Sequence, residues 1–269
     1  MKSMNQISNN VAMQTALVRS AMYKLLANSF LYPTEKVFSF ICSPLYEETL
    51  EEYQSFQSET SMPTQRIQDF VELIRTLRGR QSLEGLEQEY NRLFAHLGST
   101  KCPPYETEYG YDNVFQKTDA MADIAGFYSA YGLEISDINA ERVDLISTEL
   151  EFMSYLTANE AYAREHRNNE QTEICLDTQR KFIHDHLGRW VTLFTQLIKK
   201  STANQFYVLA GELTEEFLNA EARNLGIVLE KVPVRQTLSP HHPEPFGCES
   251  SLSAGQNDSV NKSVTSFKV

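Results

Sequence analysis

The sequence has few residues of the kinds that build metal sites, disulfide frameworks and membrane spans. Its four cysteines, Cys42, Cys102, Cys175 and Cys248, lie far apart, which fits neither paired zinc ligands nor a dense disulfide framework. We therefore expect free thiols and no metal site. The first ten residues, MKSMNQISNN, contain no apolar stretch, and no run of about 18 uncharged apolar residues occurs anywhere. We expect neither a signal peptide nor a membrane span, and a cytoplasmic protein.

Catalytic motifs are also absent. The sequence contains no glycine-rich phosphate loop, no G-x-S-x-G, no H-E-x-x-H and no dinucleotide fingerprint. His184 and His186 form a close pair, but an i,i+2 pair on a helix points to different faces, and we expect both in solvent. The dipeptide His184-Asp185 leaves open a helical metal-dependent phosphohydrolase, which would need further ligands on neighbouring helices. Cys102 has no histidine nearby to activate it, so we predict no catalytic residue.

Basic residues are too few for a general nucleic-acid-binding protein, since the formal net charge is −12. The distribution is more informative than the total. Fourteen acidic and four basic residues lie between Glu84 and Glu151, a quarter of the chain. Such a region would attract a cationic partner, although the same residues could serve only to keep the protein in solution.

Nearly every segment has helical periodicity, with Pro and Gly between the segments. From residue 231 onward the composition changes to Pro, Ser, Asn and Gly. The sequence therefore predicts an all-α fold, a single helical domain of nine to ten helices over residues 1–230, followed by a flexible, largely unstructured Pro/Ser-rich tail over 231–269. The predicted helices cover 11–32, 34–42, 44–57, 63–78, 83–97, 116–131, 139 or 140 to 166, 170–199 and 202–225.

Two charged residues lie on apolar helix faces. On a helical wheel begun at Glu141, Glu149 falls inside the arc of large apolar side chains, and Arg19 falls among the apolar residues of the first helix. An unpaired buried charge is costly, so we predict a buried pair of Arg19 and Glu149. The alternative is that one of them reaches solvent along its aliphatic stem. Removing one partner of such a pair should cost about 3 to 5 kcal/mol.

Four polar residues of the same predicted helix, Glu141, Asp144, Thr148 and Glu151, form a stripe beside the apolar arc. Such a stripe can hold guanidinium groups through charge-assisted hydrogen bonds, although an acidic stripe is ordinarily a solvated helix face. The loop CPPYETEYG, residues 102–110, lies upstream, and Pro103 and Pro104 stiffen it. We expect exposed tyrosines there, and hence a surface that holds a partner rather than a reactive centre.

Four segments in order and spacing carry a family likeness: EYNRLF (89–94), CPPYETEYG (102–110), MADIAGFYSAYGLE (121–134) and ERVDLISTELEFM (141–153). Together they resemble the TorD/DmsD/NarJ-type chaperones of molybdenum enzymes, especially the delta-subunit-like chaperones of dimethyl sulfide, selenate, chlorate and ethylbenzene-type enzymes. The likeness covers about residues 11–226. The family's acidic motif commonly reads Glu-Pro-x-Asp-His, whereas this chain has Leu145 at the histidine position.

The resemblance implies a cytoplasmic, non-enzymatic protein, a monomer or weak dimer, that binds the apo catalytic subunit of a molybdoenzyme. Binding in the family often includes the twin-arginine signal peptide and delays export until molybdopterin guanine dinucleotide has been inserted into the client. The chaperone itself needs no cofactor. A permanent helical subunit of a redox complex is an alternative. The implied client-binding residues are Cys102, Pro103, Pro104, Tyr105, Glu106, Tyr109, Glu141, Asp144, Thr148 and Glu151.

Overall fold

Ten α-helices make up most of the part of the chain that the computed structural model describes, namely residues 2–56, 64–77, 79–94, 101–111, 113–135, 142–230 and 267–268. A π-helical segment, Ile183–Leu187, joins α8 to α9, so these two form one continuous rod. The all-α prediction of nine to ten helices is confirmed. The helices are α1 Lys2–Ser29, α2 Glu35–Ile41, α3 Pro44–Phe56, α4 Thr64–Thr76, α5 Gly79–Phe94, α6 Val114–Ala130, α7 Ile146–Glu165, α8 Asn169–Phe182, α9 Gly188–Ser201 and α10 Gln205–Leu225.

Short polar side chains begin several of these helices. Thr34 caps α2, Asn113 caps α6 and Asn204 caps α10, each accepting a hydrogen bond from a backbone N–H of the first turn. Gly226 ends α10 in the left-handed region with φ of 70°, as predicted for the residue after the helix. Local sequence therefore fixes where these helices begin and end.

The centre of the fold is α7. Each of its residues from Ile146 to Met153 is buried, as expected for a helix that other elements cover on every side. It packs along α1 and against α8. Phe152 of α7 meets the rings of Tyr128 and Phe182 edge-on, with centroids 4.8 Å away in both cases. Polar residues on α7 are consequently held inside the protein.

The start of α7 differs from the prediction. The helix begins at Ile146 rather than at 139 or 140, because the residues before it pair with the loop at 102–110. Leu145 is extended and bridges Tyr105, and the Ile146 N–H donates to the Pro104 carbonyl at 2.9 Å. Asp144 is therefore not on a helix, and the wheel that placed it in a stripe is wrong there. Glu141 lies outside the described residues.

One short antiparallel ribbon joins distant parts of the sequence. Strand β1, Glu134–Ile135, pairs with β2, Phe267–Lys268. Apart from those two residues, the segment that we predicted to be an unstructured tail lies outside the described part of the chain.

Candidate functional site

The loop of interest, residues 102–111, is a buried strap that lies across the start of α7; we call these residues together with 142–149 the joint. Tyr109 is buried, donates its hydroxyl hydrogen to the Pro103 carbonyl at 2.7 Å, and stacks on Trp190 with ring centroids 5.2 Å apart. Cys102 is also buried, and burial raises the pKa of its thiol. A thiol that resists ionisation is a poor nucleophile, so Cys102 packs rather than reacts.

Asp144 forms the charged centre of the joint, and its partners belong to this chain. Its buried carboxylate accepts hydrogen bonds from the Thr107 N–H and hydroxyl, at 3.1 and 2.8 Å. Arg142 donates to both of its oxygens, through Nε at 2.9 Å and Nη2 at 2.8 Å, and lies 4.1 Å over the Tyr105 ring. The carboxylate that we expected to hold a client arginine thus binds Arg142.

The proposed client-binding residues are mostly inside the protein. Tyr105 is half-buried and Glu141 lies outside the described residues. Glu151 is paired with Lys24 of α1. The expected exposed surface is therefore wrong for this set, whereas direct contact of these residues with a client stays a prediction. The buried members are Cys102, Pro103, Pro104, Glu106, Tyr109, Asp144, Thr148 and Glu151.

Arg19 and Glu149 are both buried, as predicted, but they do not pair with each other. Arg19 donates to both oxygens of Glu221, with a shortest distance of 2.7 Å, and to Glu160 at 2.9 Å and Gln179 at 2.6 Å. Burial disfavours its charge, but the two glutamates more than offset this and raise the pKa of Arg19. The predicted Arg19–Glu149 pair is replaced by a network that joins α1, α7, α8 and α10.

Glu149 lies instead in an acidic cluster beneath the strap. Its carboxylate accepts a hydrogen bond from Trp190 Nε1 at 3.2 Å. Glu106 of the strap is next to it and accepts from the Tyr111 hydroxyl at 2.6 Å. Burial, followed by the nearby Glu106 and Asp144, raises the pKa of Glu149 well above its usual range. The site therefore favours the neutral form of the Glu149 carboxyl over the ionised form.

His186 connects this cluster to the surface. Only 3% of it is exposed, so our expectation of a solvated histidine is wrong for His186. Its Nδ1 lies 3.3 Å from Glu106 Oε1, and its Nε2 lies 3.2 Å from Asp123 Oδ2 on α6. The π-helical segment contains His186 and is followed by Gly188, where a Cβ would lie 2.5 Å from the Ile183 carbonyl oxygen. The backbone at this turn thus requires glycine.

A cavity of about 720 Å³ opens beside His186, between α6, the π-helical segment and the end of the strap. We call it the acidic cavity, because the described residues of its wall include four carboxylates and one arginine. Val114 and Phe115, in the first turn of α6, the helix whose later residues line the cavity, are 67% and 77% exposed. An acidic opening lined by a helix that also carries exposed apolar side chains suits a ligand that combines cationic and apolar groups. Its charged and polar lining includes Tyr111, Asp119, Asp123, Asp185, His186 and Arg189.

Sequence reasoning missed the residues that organise the site: Thr107, Arg142, His186 and Trp190. A signal for His186 existed. It lies four residues after Phe182 and four before Trp190, on the apolar face of the rod, and that spacing indicates burial. The role of Arg142 depends on a turn that brings it back onto Asp144, which no periodicity reveals.

The phosphohydrolase hypothesis finds no further ligands in the part of the chain that the structure describes. His184 Nδ1 contacts Asp185 at 2.6 Å, and both side chains are about half exposed. Among the described residues, no group of three or more His, Cys, Asp or Glu side chains could hold a metal ion. None of the described helices is long and apolar enough to cross a membrane.

Comparison with known proteins identifies the family. A family model described as the nitrate reductase delta subunit matches residues 54–196, more than half of the chain. The chain belongs to this family. It is 28% identical over 141 residues to the perchlorate reductase assembly chaperone protein of Dechloromonas aromatica (strain RCB), an alignment that covers 51% of this chain and 62% of that protein.

Two other relatives extend the comparison. The chlorate reductase assembly chaperone protein of Ideonella dechloratans is 30% identical over 139 residues, which cover 49% of this chain and 68% of the relative. The chaperone protein TorD of Vibrio cholerae serotype O1 (strain M66-2) is 21% identical over 202 residues, 72% of this chain and 90% of TorD. These names describe chaperones rather than catalysts, which supports the prediction that this family member is not an enzyme.

Proposed function

We propose that this chain is a chaperone that binds the catalytic subunit of a molybdenum oxidoreductase before its cofactor is inserted. Membership of the nitrate reductase delta subunit family and the assembly-chaperone names of its relatives support this role. The structural observation that carries it is the acidic cavity, together with the exposed Val114 and Phe115 at the start of α6, the helix that lines it. We place the protein in the cytoplasm, where the client is made.

The chemistry of this surface favours a segment with arginine followed by apolar residues. Asp119, Asp123 and Asp185 offer carboxylate acceptors, and a guanidinium group carries five N–H donors. The exposed side chains of Val114 and Phe115 would cover apolar residues of the same segment. A twin-arginine signal peptide has this arrangement, so we propose it as the part of the client that is held here. While the chaperone holds this peptide, export of the client would be delayed and molybdopterin guanine dinucleotide could enter the catalytic subunit.

The joint holds the side chains next to this surface in fixed positions. Asp144, Arg142 and Thr107 lock the strap to α7, and Tyr109 packs on Trp190. A site whose supporting side chains are already held in place loses less conformational entropy when it binds. The buried strap residues would then act on the client through the shape of the cavity, whereas Tyr111 lies in the cavity wall.

A titration tests the location of the site. A synthetic peptide with two adjacent arginines and an apolar segment is titrated calorimetrically into wild type and into the Asp119→Asn/Asp123→Asn variant. Two weakened exposed ion pairs should lower affinity roughly 2- to 30-fold at low salt, and added salt should reduce the difference. The matched control is Asp69→Asn/Asp177→Asn, which removes two carboxylates elsewhere on the surface.

The apolar part of the site has its own variant. Phe115→Ser removes an exposed ring, so it should leave the unfolding temperature unchanged. It should weaken the peptide at least about tenfold at high salt, where burial of apolar surface dominates. Equal affinities for wild type, Phe115→Ser and the two double variants would show that the peptide is held elsewhere.

A further inference from the structure

Glu106 and Glu149 bury two carboxyl groups side by side. Glu106 is 1% exposed and Glu149 is fully buried. One oxygen of each has a donor, the Tyr111 hydroxyl for Glu106 Oε1 and the Trp190 indole for Glu149 Oε2. The other two oxygens, Glu106 Oε2 and Glu149 Oε1, are buried without a hydrogen-bond donor among the described residues. Two adjacent buried anions in this state would be strongly unfavourable.

Among the residues that the structure describes, no nearby cation is placed to neutralise both groups. Arg142 is committed to Asp144 through two hydrogen bonds. Arg189 lies on the cavity side, with its guanidinium 6.0 Å from the Tyr111 ring centroid. A single proton between the two carboxyls would satisfy both unpartnered oxygens and remove one charge. The titratable and charged groups around the pair are Tyr111 of the strap, Arg142 and Asp144 before α7, Glu151 of α7, Asp123 and Tyr128 of α6, His186 of the π-helical segment and Arg189 of α9.

The pair is one side chain away from the acidic cavity. His186 reaches Glu106 through Nδ1 and Asp123 through Nε2, and it lines the cavity wall. Tyr111 makes a second link, since its hydroxyl contacts Glu106 and its ring also lines the cavity. A positive charge that enters the cavity would therefore act on the carboxyl pair at short range through a low-dielectric interior.

We infer that Glu106 and Glu149 share one proton in the empty protein, and that a guanidinium group entering the acidic cavity releases it to solvent. The second half rests on the proposed function, because it assumes that the client presents a cation there. The charges balance: a pair with one negative charge becomes a pair with two, and the incoming cation supplies the compensating positive charge. Because the two equilibria are linked, ionisation of the pair strengthens binding of the cation by the same factor by which the bound cation favours ionisation of the pair.

The inference predicts a pH dependence of affinity. If binding releases a proton, affinity rises with pH, by up to about tenfold per pH unit for one full proton. The burial and the neighbouring carboxylates that raise the pKa of Glu149 place this window above the range of an ordinary glutamate.

Infrared spectroscopy tests the first half without any ligand. Wild type at pH 7 should show the C=O stretching band of a protonated carboxyl. Glu149→Gln should lack that band, and the control Glu212→Gln should keep it, because Glu212 is half-buried and ion-paired with Lys199 and Arg66. Absence of the band from wild type at pH 7 would overturn the shared proton. If Glu149→Gln does not fold, Glu106→Gln serves as the second variant, because loss of either carboxyl ends the sharing.

Calorimetry in two buffers tests the second half. The diarginine peptide is titrated into wild type in phosphate and in Tris, whose ionisation enthalpies differ, and the difference in heat gives the protons released per peptide. We expect a release in wild type and none in Glu149→Gln. Binding without buffer dependence would overturn the coupling even if the infrared band vanished, since the proton would then have moved within the protein, for example to His186. No peptide binding would refute both the proposed site and this coupling, while the infrared result would still decide the shared proton.

Discussion

Replacement of Arg19 tests how much the buried polar network contributes to the stability of this fold. Arg19 is 7% exposed and makes five hydrogen bonds, three to Glu221, one to Glu160 and one to Gln179. Arg19→Met keeps an unbranched chain of similar thickness but removes every donor and the charge. The variant therefore removes the contribution of the polar network while keeping the packing of α1 against α7 and α10.

The magnitude follows from what the variant leaves behind. Glu160 keeps its ion pair with Arg164, at 2.8 Å, so little of the cost falls on it. Glu221 is fully buried and keeps the Tyr23 hydroxyl, at 3.0 Å, but no cation from Arg19. An uncompensated buried charge costs about 3 to 5 kcal/mol. At about 2 to 4 °C per kcal/mol for a domain of this size, the melting temperature should fall by roughly 6 to 20 °C.

Thermal and urea unfolding at pH 7 measure this change. The control is Arg75→Met, which removes an exposed arginine that pairs with Glu47 and Glu51 and should leave the midpoint unchanged. The double variant Arg19→Met/Glu221→Gln should recover part of the loss, because the stranded charge is gone. If Arg19→Met and Arg75→Met unfold at the same temperature, the reasoning from the buried network is refuted.

Three further predictions concern the joint and Gly188, the first residue of α9. Gly188→Ala should lower the melting temperature, since the new Cβ would lie 2.5 Å from the Ile183 carbonyl oxygen, and an unchanged circular-dichroism melt would contradict this. Asp144→Asn should lower the free energy of unfolding in urea by about 1.5 to 3 kcal/mol, because Arg142 loses its charged partner. An equal loss in Arg142→Met, with little further loss in the double variant, would show that the loss comes from the Asp144–Arg142 pair. Glu149→Gln should be more stable than wild type at pH 8 and equally stable near pH 4. The raised pKa means that the folded wild type holds the Glu149 proton more tightly than the unfolded chain does. The stability of wild type should therefore fall by up to about 1.4 kcal/mol per pH unit as pH rises from the ordinary pKa of a glutamate to the pKa of Glu149 in the folded protein. Parallel pH profiles of the two proteins would count against a protonated Glu149.

Most helices could be predicted from the sequence because their signals are local. Periodicity and caps act over a few residues, and the predicted bounds of α2, α3 and α6 lie within two residues of those observed. The end of α10 at Gly226 is another local signal. These features would be recognisable in any tertiary arrangement.

The partners of buried charges could not be predicted in this way. A wheel shows that Arg19 faces inward but not which carboxylate it meets, and Glu221 is 202 residues away. The same limit applies to Asp144. Its segment is helical by pattern, but the strap supplies backbone partners that hold Leu145 extended, so tertiary pairing overrides local propensity.

Exposure of the strap was misjudged for a related reason. Two tyrosines, two glutamates and a cysteine suggest a surface, yet Tyr109 and Glu106 find their hydrogen-bond partners inside the protein. The resemblance identified the right family, and the client site that we propose is the acidic cavity adjacent to the strap.

The central claim is that this chain holds a catalytic subunit that lacks its cofactor. The most direct measurement is purification of the tagged chain from its source organism, with mass spectrometry to identify the partner and elemental analysis of molybdenum in the complex. We predict that the enriched partner is the catalytic subunit of an oxidoreductase, that the complex contains no stoichiometric molybdenum, and that Asp119→Asn/Asp123→Asn lowers the yield. A stable complex with the molybdenum-loaded enzyme would contradict the claim and indicate a permanent subunit instead.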